Sequence, residues 1–177
     1  MHLIKTQRLG LRNWTKADIA PMTTINLDEE VMRFFPSPYG LDATTSLIER
    51  MQKEYEQRRH CYFAADLLET GEFIGFIGLS YQDYLEKYDP FVDIGWRLAP
   101  HVWGKGLAPE GAKACLDYAF STLGLKSVYA VASQANLPSL RVMQKIGMAQ
   151  IDVFDHPKLL NNERLKSCVL YQKLFLR

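Results

Sequence analysis

Apolar and polar positions alternate from the first residues: Leu3, Leu9 and Leu11 are interleaved with Lys5, Arg8, Gly10 and Arg12, which predicts a first strand. Thr15 followed by Asp18 has the form of a capping-box helix start, although Pro21 falls deep enough in that helix to demand a kink. Phe34-Phe35-Pro36-Ser37-Pro38 reads as an aromatic loop. After it, Asp42 is placed to cap a helix whose Leu47, Ile48, Met51 and Tyr55 share a face. Residues 61–67 and 73–80, on either side of Glu69-Thr70-Gly71, predict strand, turn and strand. A loop over 81–90 leads to another apolar run, 91–98, stopped by Pro100.

From 109 to 123 the apolar set Ala112, Leu116, Ala119, Phe120 and Leu123 has helical spacing, with Pro109 at the first position and Gly124 just past the end. Residues 127–132 predict a buried strand. Asn136 is placed to cap a short helix that holds Pro138 in its first turn and ends at Gly147, and strands over 148–154 and 167–174 complete the chain. The order is βααβββαβαββ. The 91–132 stretch is long enough for a parallel crossover and the 61–98 strands suit hairpins, so a mixed α/β sheet with helices on both faces is expected.

Composition narrows the class. The 177 residues are 47% hydrophobic and 23% charged, which fits one globular domain over 1–177 and excludes disorder, collagen and a long coiled coil. A formal charge of +1 leaves no global field toward nucleic acid or an anionic membrane. Cys61, Cys115 and Cys168 lie far apart on apolar segments and have no metal-ligand spacing, so buried thiols and no metal are expected. Lys5, Arg8 and Arg12 interrupt any signal-peptide core, and no run approaches the ~18 apolar residues of a membrane span. The expectation is a soluble cytoplasmic protein.

Candidate chemistry begins with His101-Val102-Trp103-Gly104-Lys105-Gly106-Leu107-Ala108, which joins the fourth strand to the helix at Pro109. A glycine turn that opens a helix offers unpaired backbone N–H groups and the positive end of the helix dipole. Gly104 and Gly106 let backbone approach a phosphate, and Lys105 adds a cation. Alternatively the glycines serve the turn alone. A dinucleotide fingerprint fails because Pro109 stands where its third glycine belongs, and a P-loop fails because Ala112 separates Gly111 from Lys113.

With Asp93-Ile94-Gly95-Trp96-Arg97-Leu98 before it and Asn136-Leu137-Pro138-Ser139-Leu140-Arg141 through Lys145-Ile146-Gly147-Met148 after it, this turn resembles that of the Gcn5-related N-acetyltransferases (GNAT). Thr6-Gln7-Arg8-Leu9-Gly10-Leu11-Arg12 and Phe154-Asp155-His156-Pro157 extend the likeness over nearly the whole chain, toward the ribosomal-protein N-acetyltransferase-like branch. The resemblance implies a single GNAT domain: a mixed, mostly antiparallel twisted sheet of about seven strands with a central splayed parallel pair. It also implies acetyl-CoA as co-substrate. The pyrophosphate motif maps onto Trp103, Gly106 and Ala108, with Trp103 departing from the usual Gln or Arg. Backbone from Trp103 through Gly104, Lys105, Gly106 and Leu107 to Ala108 is expected to hold phosphate, and Lys105, Arg141 and Lys145 are candidate cations or plain surface charges. Trp96, Arg97 and Leu98 are expected to pair with the pantetheine arm and Asn136 to bridge it.

The same resemblance implies direct attack of an amine on the thioester, which needs a base, a stabilised oxyanion and a proton for the leaving thiolate. Asp93 is the first candidate base, with pairing to Arg97 as its structural alternative, and His156 is the second, with a turn role as its alternative. Ser139 matches the serine that contacts the coenzyme sulfur, with helix capping as its alternative. Tyr171 is the fallback acid, or core. Acceptor binding is assigned to the loop 29–39 with Phe34 and Phe35, and to the 155–165 turn with His156. Glu29, Glu30, Asp83, Glu86 and Asp89 form a scattered acidic set that would attract a cationic amine or, as such sets usually do, lie on a solvated face. A non-catalytic coenzyme A-binding module is the alternative to an enzyme acting on a small or protein amine. The last strand offers an edge for a second copy.

Overall fold

The computed structural model describes residues 1–88 and 90–175. The first apolar alternation divides into two strands, Ile4–Lys5 (β1) and Leu9–Arg12 (β2), paired antiparallel across a reversal closed by the Thr6 N–H donating to the Leu9 carbonyl at 2.9 Å. The described residues therefore form eight strands where about seven are predicted.

Pro21 is accommodated by a change of helix type. Lys16–Asp18 forms a 3-10 turn in which the Asp18 carboxylate accepts from the Thr15 N–H at 2.7 Å and its hydroxyl at 3.0 Å; the α-helix Ile19–Leu27 (α1) follows. Pro21 is thus third in α1, where a missing N–H forfeits no helical bond, and the expected kink is not needed. Glu29–Met32 (α2) makes a short helix capped by Asp28, whose carboxylate accepts from the Val31 N–H at 3.0 Å. The next helix, Leu41–Arg58 (α3), is capped by Gly40 rather than Asp42, which lies in its first turn. There its charge still complements the helix dipole.

Tyr62–Leu67 (β3), Phe73–Gln82 (β4) and Phe91–Leu98 (β5) form the expected antiparallel hairpins. The helix Leu107–Ser121 (α4) then crosses to Ser127–Ser133 (β6), parallel to β5, and Leu137–Lys145 (α5), Ala149–Asp155 (β7) and Ser167–Leu174 (β8) follow. Sheet order is β1-β2-β3-β4-β5-β6-β8-β7. The final strand is therefore not the edge. β8 carries the buried run Cys168 to Tyr171 and takes a neighbour on each side, while β7, largely exposed, forms the border.

Helices cover both faces. α4 lies over Leu9 and Ile77 so closely that a Cβ on Gly111 would meet the Ile77 side chain at 2.5 Å, and α1 reaches the other face through Asn26. Cys61, Cys115 and Cys168 are buried free thiols, as expected from their apolar segments. No described helix is long and apolar enough to cross a membrane.

Candidate active site

β5 pairs with β4 along its whole length but meets β6 in register only at Asp93 and Tyr129. Beyond that point the two parallel strands separate. The Ala99 N–H donates to the Ile74 carbonyl at 2.9 Å, so alternation along β5 turns the backbone of Gly95 and Arg97 toward β4 and that of Trp96 and Leu98 toward the gap. The Leu98 carbonyl accepts from the Trp103 indole N–H at 2.8 Å, which fixes the half-exposed Trp103 ring at the lip. A cleft of about 650 Å³ opens from this gap.

The glycine turn forms one wall. α4 starts at Leu107, two residues before the predicted Pro109, because Gly106 takes the N-cap position with φ +77°. Gly104 has φ +74°, a left-handed conformation that side chains other than glycine's resist. Among the described residues no group accepts from the backbone N–H of Gly104, Lys105 or Gly106, and Leu107 and Ala108 occupy helical positions whose N–H groups lack intrahelical acceptors. Five consecutive amides at a helix dipole have the geometry that suits an anion.

A brace absent from the sequence reading holds this turn. The Arg8 guanidinium donates from Nη1 to the Lys105 carbonyl at 2.9 Å and from Nε to Glu110 at 2.7 Å, and the Thr6 hydroxyl donates to Glu110 at 2.6 Å. Against the desolvation that partial burial imposes, these donors hold the Glu110 carboxyl below its usual range.

Asp93 lines the cleft from the other face of β5. Its Oδ1 accepts from the Tyr62 hydroxyl at 2.7 Å and from the Gln82 amide at 3.2 Å; it does not pair with Arg97. Burial pushes its carboxyl up to about 7, with those two hydrogen bonds opposing. Arg97 is buried too, its Nη1 donating to Asn26 Oδ1 at 2.6 Å. Across the cleft, Asn136 caps α5 by accepting from the Ser139 N–H at 3.2 Å. Asn136 therefore supplies the capping considered for Ser139, which lines the cleft.

The cleft thus gathers Asp93, Trp96, Arg97, Leu98, Trp103, Gly104, Gly106, Leu107, Ala108, Asn136, Ser139, Arg141, Lys145, Phe34 and Phe35. Lys105 is exposed and outside the cleft lining, its carbonyl held by Arg8. Two candidates lie elsewhere. Tyr171 on β8 is turned into the core at 5% exposure, so it is corrected from acid to packing residue. His156 stacks near Tyr84, ring centroids 4.7 Å apart, and its Nδ1 accepts from the Lys158 N–H at 3.1 Å, which makes it a turn residue outside the cleft lining. Burial and the Lys158 charge lower its pKa. Glu29, Glu30, Asp83 and Glu86 are exposed, Glu30 among the lining of the cleft where it pairs with Arg33 at 2.8 Å, and Asp89 lies outside the described residues. No group of three potential metal ligands occurs among the described residues.

Sequence reasoning missed Tyr62, Gln82 and Asn26. Tyr62 stands 31 positions from the carboxylate it serves and Asn26 stands 71 from Arg97, so no local spacing announces either.

Among the described residues the mixed sheet is parted at one parallel pair, with an amide-lined helix start along the opening, a shape suited to an extended, phosphate-bearing ligand. The chain belongs to the GNAT acetyltransferases: the sequence profile of the acetyltransferase (GNAT) domain matches residues 8–149. It is 28% identical over 147 residues to the uncharacterized N-acetyltransferase YoaA of Bacillus subtilis, covering 82% of this chain and 81% of that one. The crystal structure of a GNAT-family acetyltransferase from Bacillus anthracis superposes with a TM-score of 0.79 at 25% identity, covering 98% of both chains. A spermidine N-acetyltransferase from Vibrio cholerae, solved with CoA and spermine, shares the fold at a TM-score of 0.75 and 19% identity over 96% of each chain. The protein is an N-acetyltransferase.

Proposed function

We propose that the chain transfers acetyl from acetyl-CoA to a primary amine by direct attack, with donor and acceptor bound together. The observation that carries this reading is the union, in one cleft, of the unpaired amides at Gly104–Gly106 with the free backbone of Trp96 and a buried carboxylate. Those groups fit a long donor with phosphates at one end and amides along its arm. Bound there, acetyl-CoA supplies an acetyl thioester that an amine can displace without an acyl-enzyme.

The rest is done by the chain. The N–H groups of 104–108 hold phosphate, with Arg141 and Lys145 as cations at the rim. Asp93, its pKa near neutrality, takes the proton that the amine must lose, directly or through water. As the new C–N bond forms and the C–S bond breaks, the Ser139 hydroxyl donates a hydrogen bond to the sulfur and relays a proton from solvent. The buried Cys61 and Cys115 thiols, pushed up by desolvation, are poor nucleophiles and fit a route without acyl-cysteine.

Thiol release from acetyl-CoA, measured with N-terminal peptides, polyamines, aminoglycosides and free amino acids, tests the reading. Release with at least one amine supports it. Acetyl-CoA binding without release from any of them would make the protein a non-catalytic coenzyme A module.

A further inference from the structure

Arg97 stands apart from the other cations of the cleft. Arg141 and Lys145 are exposed, whereas Arg97 is 7% exposed on the same face of β5 as Asp93. Its guanidinium lies among aromatic rings, 4.1 Å from the centroid of Phe35, 5.2 Å from Tyr39 and 5.4 Å from Phe76. Of five N–H donors, one is committed from Nη1 to Asn26 Oδ1 at 2.6 Å, and the Tyr39 hydroxyl is a second, neutral hydrogen-bonding neighbour. Asn26 is itself buried and pinned, donating to the Thr44 hydroxyl at 2.9 Å. Arg97 Nε is buried with no partner.

A guanidinium withdrawn from water ordinarily has a carboxylate or phosphate beside it, since burial forfeits its hydration. Among the described residues Arg97 forms no salt bridge, and the groups acting on it are Asn26, Tyr39 and Tyr62. Aromatic faces compensate partly. Desolvation lowers its pKa to about 10, so it remains a cation at neutral pH. The backbone of Arg97 is engaged with β4, and its head group points away from the glycine turn's amides, onto the α1 face of the sheet. The missing anion is therefore not explained by the phosphates that the turn would hold.

We propose that Arg97 sets acceptor specificity, and that the acceptor is a small amine carrying a carboxylate, which completes the buried guanidinium. This rests on the acetyl-transfer reading above. A small molecule is favoured because the guanidinium lies beneath Phe35, so the carboxylate must enter the cleft on a compact body. The fork-shaped cation suits a planar carboxylate and repels an additional ammonium.

The test uses the full chain and matched acceptors: free amino acids, the same amino acids as carboxamides, and spermidine. Thiol release should favour carboxylate over carboxamide on the order of 100-fold in kcat/KM, because a site built for a polar group rejects the analogue that lacks it. Arg97→Met, which removes charge but keeps an unbranched side chain, should erase that preference, and Arg97→Lys should restore part of it. Calorimetric titration of wild type with the same pairs in the presence of CoA reads the preference without turnover or any variant. Acetylation that is equal for carboxylate and carboxamide, or best with spermidine, overturns the inference and leaves acetyl transfer standing. No release from any amine overturns the transfer reading, and the titration then decides the carboxylate preference by itself: equal binding of the pairs overturns it.

Discussion

The two walls of the cleft are built by opposite means. On one side the 104–108 turn offers backbone amides, given direction by glycine conformations and a helix dipole, and needs almost no particular side chain. On the other, the buried side chains of Asp93 and Arg97 are held from behind by residues of three further elements, Asp93 by Tyr62 and Gln82 and Arg97 by Asn26, through hydrogen bonds of 2.6–3.2 Å. Backbone recognition tolerates sequence change and suits a ligand shared by many relatives. A buried side-chain set depends on each member, and it is suited to selecting one acceptor and tuning one proton.

Four substitutions test that contrast, from the largest expected effect to the smallest. Asp93→Asn should lower kcat/KM by about 10²–10⁴-fold, the range for losing a general base, while leaving acetyl-CoA affinity nearly unchanged. Wild-type activity should rise with pH through about 7, and the variant should lose that limb. Stability gives an independent reading. Because the folded pKa is raised from 3.8, the folded chain keeps a proton between there and about 7 that the unfolded chain releases, so Asp93's contribution to stability is full at lower pH and declines as pH rises through that window. Denaturant titrations from pH 4 to 8 should show the decline in wild type and a flatter profile in Asp93→Asn.

Ser139→Ala should cost ~10²-fold in kcat with little change in KM for acetyl-CoA, since the charge on sulfur exists mainly in the transition state. With Asn136 capping α5, the melting temperature should hardly move; unchanged kcat would remove Ser139 from the chemistry.

Gly106→Val attacks the backbone wall. Space is not the obstacle, as an added Cβ would meet only Arg8 Nη2 at 3.7 Å, but φ +77° is strained for valine by about 1–2 kcal/mol. Acetyl-CoA affinity should fall roughly tenfold or more by calorimetry. Equal affinities would dissociate the turn from donor binding.

Arg8→Ala removes an exposed brace worth at most about 1 kcal/mol, so KM for acetyl-CoA should rise by a few-fold with kcat preserved. A loss as large as that of Gly106→Val would mean the amides depend on the brace for their aim.

The backbone wall was legible because its determinants are consecutive: two glycines, a proline and an apolar helix period lie within twenty residues. Even there the boundary moved, since Gly106 could take a left-handed φ and start α4 ahead of Pro109. His156 and Tyr171 show the limit. A histidine in a turn and a tyrosine on an apolar strand look chemically available until strand order and packing assign one to a stack with Tyr84 and the other to the core.

Hydrophobic periodicity determined which segments are helices and strands, and that the 91–98 and 127–132 runs are joined by a helix long enough to make them parallel neighbours. These are short-range consequences of side-chain spacing and connection length. Only the tertiary structure decided that β8 lies inside β7, that Ser139 lines the cleft, and that Arg97 is buried with no salt bridge among the described residues. Burial and hydrogen-bond partners are set by residues dozens of positions away. Sequence spacing constrains such pairs only through the fold that brings them together.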